Sequence, residues 1–268
     1  MQTLQYQGLK VIAETNHLLE DNLVVEAPLQ ININQESYTV VMRTPGNDFQ
    51  LITGLLFAED IYKKNTPISF DIVKKEININ AIINVTISKN DLGKGYLNKR
   101  TLLSVSSCGI CGKKELNHLK VEGKYLNNKQ QFNLLEVSKM MEAMRKNQKV
   151  FEKTGGLHAA SIFNHQKELL TVKEDIGRHN AVDKVIGDLL TTDSLQEAKY
   201  LVVSGRVSYE IVTKAFIAKI PVIIAVSACS SLAVDFAKEF GICLVGFTRD
   251  DKMTIYSNPE YFKNIQYV

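Results

Sequence analysis

The second half of the chain alternates short apolar runs with helical periodicity, and this rhythm limits the fold more than any other feature. Residues 200–203, 222–226 and 243–247 read as strands, with helices at 209–218 and 232–240 between them. Strands joined through helices return in the same direction, so the repeat predicts a parallel sheet covered by helices on both faces. Upstream, 157–163 and 169–172 read as a strand pair, followed by a helix from about 180 to 190. The spacing of Leu134, Leu135, Val137, Met140, Met141 and Met144 predicts another helix over 133–149, its methionines on the core face. Ligands of such sheets bind where the strands end at their carboxyl side. That directs attention to the loops Ser204-Gly205-Arg206, Ser227-Ala228-Cys229 and Thr248-Arg249-Asp250.

The first half has a different texture. Short β-branched runs such as Tyr38-Thr39-Val40-Val41-Met42 predict strands, and 77–88 alternates Ile and Val with Asn and Thr. A short helix over 54–60 interrupts them, its start set by the turn at 44–48, where Asn47 or Asp48 can cap it. The 268 residues suit two modest domains. We read 1–125 as a smaller β-rich α+β domain and 126–268 as an α/β domain with a mainly parallel sheet. Residues 90–107 are the least patterned stretch, a candidate mobile loop.

Composition excludes several function classes. Lys plus Arg is 32 against 29 for Asp plus Glu, and this net charge of +3 makes no electrostatic case for nucleic acid. The longest uncharged stretch, 220–234, is shorter than a membrane-spanning helix and contains Pro221 and several serines, so it reads as a buried strand and helix. The opening residues have no apolar core of the signal-peptide kind. Four cysteines are too few for a disulfide scaffold, and a soluble protein of the reducing cytoplasm is expected.

Two of those cysteines form the most informative segment, Ser106-Ser107-Cys108-Gly109-Ile110-Cys111-Gly112. Between Lys89 and Lys124 eight basic residues face three acidic ones, a local surplus of +5 that favours a thiolate and attracts anions. A structural zinc site would need a second ligand pair, which is missing. A thioredoxin-like pair would follow an early strand of a βαβ unit, whereas this one closes the β-rich half. A sulfur carrier would use the thiolate to hold sulfane sulfur as a persulfide. Spacing alone does not separate the last two.

The segment resembles the signature of the formate dehydrogenase accessory sulfurtransferase family, FdhD, and the likeness extends along the chain. Met42-Arg43-Thr44-Pro45-Gly46, Thr154-Gly155-Gly156-Leu157-His158 and Glu174-Asp175-Ile176-Gly177-Arg178-His179-Asn180-Ala181-Val182-Asp183-Lys184 look like family blocks. So do Ser204-Gly205-Arg206, Ala225-Val226-Ser227 and Leu244-Val245-Gly246-Phe247-Thr248-Arg249. The resemblance implies a C-terminal domain of cytidine-deaminase-like three-layer α/β/α form and a homodimer. It implies a sulfur carrier that takes sulfur from a cysteine desulfurase and passes it to the molybdenum (or tungsten) bis-molybdopterin guanine dinucleotide cofactor of formate dehydrogenase. The persulfide cysteine matches Cys108 and its companion Cys111. The cofactor-binding stretch matches Phe247, Thr248, Arg249, Asp250, Asp251 and Lys252, a site that guanine nucleotides such as GDP also suit. The chain departs from the family pattern at Cys229, where many relatives have Ala or Pro, and at the acidic Asp250-Asp251.

The remaining motifs are two-sided. Ser204, Gly205 and Arg206 form either a phosphate clamp ahead of a helix or an ordinary turn with a solvated arginine. Arg178 and His179 open a helix and suit an anion; alternatively His179 or Asn180 caps it and Arg178 pairs with Glu174 or Asp175. His158 faces the pterin or the sulfur, or is a structural histidine. Asp183 and Lys184 read as a surface pair, and Cys229 and Cys243 as small packing residues. Deaminase chemistry is disfavoured, because His158-Ala159-Ala160 lacks the glutamate such enzymes need. Two other readings of the whole stand beside the carrier: a cofactor-sheltering chaperone without thiol chemistry, and a redox dithiol protein.

Overall fold

The computed structural model describes residues 1–62, 68–75, 80–97, 123–127, 131–249 and 252–263. The chain opens with a two-stranded antiparallel ribbon, β1 (Thr3–Ile12) and β2 (Thr15–Val24). β3 (Ala27–Ile33), β4 (Glu36–Arg43), α1 (Asp48–Ala58), β5 (Ser69–Lys75) and β6 (Ala81–Thr86) follow, and their strands form a sheet of order β4-β3-β6-β5. Period-two alternation buries Ala27, Leu29, Ile31 and Ile33 of β3. Three of these, Leu29, Ile31 and Ile33, join Leu51, Ile52, Leu55 and Leu56 of α1 in one apolar core. α1 begins where the sequence places it, but Asn47 caps it by backbone position only, with φ 55° and no side-chain cap bond. The Asp48 carboxylate is held instead by Arg43, whose Nε and Nη2 donate to it at 3.0 and 3.1 Å.

Next come α2 (Leu134–Lys146), α3 (Lys149–Thr154), β7 (His158–Phe163), β8 (Leu169–Asp175) and α4 (Arg178–Thr191). β9 (Tyr200–Val203), α5 (Tyr209–Ile217), β10 (Val222–Ala225), α6 (Ser231–Phe240), β11 (Cys243–Arg249) and β12 (Lys252–Ser257) complete the fold. Asn133 and Glu136 start α2 with a reciprocal capping box. The strands make one six-stranded sheet of order β12-β11-β10-β9-β7-β8. Leu201, Val203, Ile223 and Leu244 face α4, α5 and α6, while Tyr200, Val202, Ile224 and Val245 face α2, giving three layers.

The expected α/β architecture is present, with one correction to the sheet. Only β9, β10 and β11 run parallel; β7, β8 and β12 are antiparallel to their neighbours. The links between β7 and β8 and between β11 and β12 are too short for the crossover that a parallel pair requires. α4 does make a crossover, from β8 to β9, but β7 lies between those two strands. β12 adds a strand beyond the sequence pattern read above, along the alternating Lys252-Met253-Thr254-Ile255-Tyr256-Ser257.

The two sheets are joined by α1 lying antiparallel on α4. A Cβ on Gly54 would fall 2.0 Å from the Asp183 carbonyl oxygen, and one on Gly187 would fall 1.9 Å from that of Gln50. Only glycine permits so close an approach of the backbones. The same packing overturns the surface reading of Asp183 and Lys184, which are 2% and 0% exposed. Lys184 Nζ lies 2.7 Å from the fully buried Asp175 carboxylate and donates to Thr44 O at 2.9 Å. Asp183 pairs with Lys214. Helical periodicity marks one face of α4 as buried; it cannot show that a second helix covers the other.

Gly187→Ala is expected to destabilise the protein by about 3 kcal/mol in urea unfolding, because the new methyl group meets backbone. Lys184→Met, which leaves the Asp175 charge buried and unpaired, should cost about 3–5 kcal/mol in the same measurement. Unchanged midpoints would refute this account of the joint.

Candidate functional site

The carboxyl ends of β9, β10 and β11 meet the start of β7 and of α4 at one edge of the large sheet. Backbone bonds stitch the loops there. Ser204 N–H donates to Ala159 O, Val207 N–H to Ala228 O, and Phe247 N–H to Ser227 O, each at 3.0 Å. Ser204 Oγ accepts from Ala159 N–H at 2.9 Å, so this hydroxyl holds the loop in place. Gly205 lets the chain pass between two side chains: a Cβ there would sit 3.1 Å from His158 Nδ1 and 3.3 Å from Arg178 Cβ.

His158, Arg178 and Arg206 therefore share one corner. Burial, then the charges of Arg178 and Arg206, push the His158 pKa below its ordinary 6.5, with Asp175 opposing them weakly. The imidazole is neutral at pH 7, and the corner draws its positive charge from the two arginines. α4 has no acidic residue in its first turn, so its N-terminus adds to the attraction for an anion.

His179 has another role. Its ring is buried, and Nε2 lies 3.0 Å from Ser208 Oγ and 3.1 Å from Glu210 Oε2. Gly177 occupies the N-cap position, and Asn180 donates to Met42 O and to the Asp175 carboxylate, tying α4 to the first sheet. Ser208 and Glu210 were not singled out from the sequence. Nothing local signals that they meet His179, because the contact spans two helices.

Along the edge, β11 bends. Its ladder with β12 shifts between Gly246 and Arg249, and Phe247 at the bulge has φ 52° and is 52% exposed. A bulky residue held in the left-handed region costs roughly 1–3 kcal/mol and clusters at functional sites. Phe247 and Lys252 line an open hollow of about 670 Å³ together with Leu134, Met253, Thr254 and Phe262. Beside them Thr248 is 4% exposed, and its hydroxyl has no hydrogen-bond partner among the described residues. The structure thus brings His158, Arg178, Ser204, Gly205, Arg206, Phe247, Thr248, Arg249 and Lys252 to one edge. Cys108, Cys111, Asp250 and Asp251 lie outside the described residues.

The two described thiols are poor nucleophiles. Burial pushes the Cys229 pKa up to about 11, and burial together with the Glu260 charge pushes Cys243 up to about 12. Both are protonated at neutral pH.

The FdhD/NarQ family model matches residues 24–263. The sulfur carrier protein FdhD of Sulfolobus acidocaldarius is 40% identical over 245 residues, covering 90% of this chain and 91% of the relative. The chain belongs to the FdhD/NarQ family. Other FdhD proteins are similarly close: the sulfur carrier protein FdhD of Mycobacterium tuberculosis is 39% identical over 251 residues, 90% of this chain and 91% of its own. That of Picrophilus torridus is 37% identical over 256 residues, 93% of this chain and 95% of its own. A crystal structure described as a formate dehydrogenase accessory protein from Desulfotalea psychrophila shares the fold, with a TM-score of 0.73 at 20% identity. It covers 98% of this FdhD/NarQ chain and 100% of its own.

The electrostatics are testable by proton NMR of the imidazoles. His158 should titrate below pH 6.5 and move upward, without reaching 6.5, in Arg206→Gln, since burial is the larger cause. Because the folded state resists protonating His158 while the unfolded state does not, stability should fall as pH drops below 6.5, and less steeply in His158→Gln. A midpoint that ignores Arg206→Gln would separate the two groups.

Proposed function

We propose that this protein is a sulfur carrier serving formate dehydrogenase, acting as a homodimer in the cytoplasm. The identity of 37–40% to sulfur carrier proteins named FdhD, over nine-tenths of the chain, carries this reading. The thiolate of Cys108 attacks the outer sulfur of a cysteine desulfurase persulfide. A new sulfur–sulfur bond forms on Cys108, the donor's bond breaks, and the donor cysteine leaves as a thiolate. Two observations support Cys108 and Cys111 as the pair that performs this step. They lie in the basic segment of the sequence, and the other two thiols are held protonated by burial.

The cargo is the molybdenum (or tungsten) bis-molybdopterin guanine dinucleotide cofactor, whose metal accepts sulfur as a ligand. The described edge fits such an anionic, heterocyclic group. Arg178 and Arg206 offer planar guanidinium donors to phosphate oxygens. Phe247 presents an exposed ring to a base, with Lys252 beside it. The Thr248 hydroxyl is buried without a partner, a cost that a ligand oxygen would relieve. Neutral His158 can accept a hydrogen bond or a proton next to the arginines.

Incubation with a cysteine desulfurase and labelled cysteine, followed by mass spectrometry, tests the carrier residue. The wild type should gain sulfur on Cys108 and Cys108→Ala should gain none, while both bind GDP equally. Label at Cys229 or Cys243 would overturn the assignment. Thr248→Val should weaken GDP binding several-fold in calorimetry, with a melting temperature no lower than the wild type's, and Arg249→Glu should also weaken it. If Cys108→Ala with Cys111→Ala still activates formate dehydrogenase in cells, the protein is a cofactor chaperone instead.

A further inference from the structure

β1 and β2 stand apart from both larger sheets. The root of the ribbon is tied down: Val25 N–H donates to Gln2 O, and the Gln2 side chain donates to Pro45 O. Beyond the root, both faces expose large apolar side chains among polar ones. Tyr6 and Ile12 lie on one face, 54% and 53% exposed; Leu9, Val11 and Leu18 lie on the other, 59%, 63% and 81% exposed. An isolated two-stranded ribbon is marginal in water, and three or more strands with an apolar face are needed for stability.

The outer edge of β1 carries few of the devices that keep edge strands from pairing. It is ten residues long, its ladder with β2 runs from Thr3 to Ile12 without a bulge, it contains no proline, and Lys10 is its one charged side chain. β2 differs, since Glu20 and Asp21 guard its middle. Among the described residues, the unpaired and weakly guarded edge of the ribbon is therefore that of β1.

We propose that two copies of the chain pair through β1, antiparallel about a two-fold axis at Gly8, to form a four-stranded sheet. The register about Gly8 is self-complementary. Leu4 meets the partner's Ile12, Tyr6 meets the partner's Lys10, and Gln7 meets the partner's Leu9. No like charges face one another, and the Tyr6 ring receives a cation. The outward N–H and C=O groups of β1 gain partners, and the contact closes on itself, as an isologous interface must. This deepens the homodimer reading above by assigning its surface, and it rests on that reading for the number of copies.

Light scattering and hydrogen exchange of the full chain test the proposal. The wild type should have twice the chain mass, with β1 amides that exchange faster on dilution. Gln7→Lys with Leu9→Lys places lysines opposite each other across the axis and should give the mass of one chain. Gln7→Glu with Leu9→Lys places opposite charges there and should restore the doubled mass. A dimer that persists in the double-lysine variant, or β1 exchange that ignores dilution in a dimeric wild type, would overturn the β1 pairing and leave the homodimer reading standing. Failure of the Glu and Lys combination to dimerise would overturn the Gly8 register, and a wild type of single-chain mass would overturn both readings.

Discussion

The buried ion pair between Lys184 and Asp175 is the constraint on which the molecule turns. Neither side chain reaches water, so each charge is tolerable only because the other is 2.7 Å away and the surrounding polar groups are satisfied. Thr44 supplies part of that satisfaction. Its carbonyl accepts from Lys184, its N–H donates to Asp175, and its hydroxyl accepts from Ile176 N–H. One loop of the first sheet thus becomes a structural part of the second. The contact of α1 on α4 through Gly54 and Gly187 runs beside this pair and shields it.

The consequence for function is positional. Asp175 ends β8, and three residues later α4 begins with Arg178 and His179. Asp175 also accepts from Gly177 N–H and from Asn180. The ion pair therefore sets where α4 starts, and with it where Arg178 meets His158 and Gly205. The block from Glu174 to Lys184 combines a scaffold with a cationic corner, which explains why its residues divide into two kinds. Asp175, Asn180 and Lys184 hold the two sheets together and Asp183 ties α4 to α5, while Arg178 faces the edge.

Phe247 shows a second use of constraint. The bulge that holds it in the left-handed region lies just past Val245, where the pairing of β11 with β10 has ended and its ladder with β12 shifts before resuming at Arg249. Its backbone bond to Ser227 O fixes that bend to the neighbouring loop. An exposed aromatic ring and a buried hydroxyl at the end of β11 are thereby held next to a lysine at the start of β12.

By itself the sequence determined the elements and their chemistry. Period-two and helical patterning located β7 to β11 and α4 to α6, because burying one face of an element is a local demand. The basic surplus around Cys108 and Cys111 and the strand-end loops with Ser204, Arg206 and Arg249 were equally legible, since residue type and loop position are written along the chain. Tertiary structure alone decided the placement of β7 between β8 and β9, the burial of Asp183 and Lys184, the meeting of His179 with Glu210, and the lowered pKa of His158. Each of these depends on residues brought together from distant elements, and desolvation or Coulomb attraction acts through space whatever the separation in sequence.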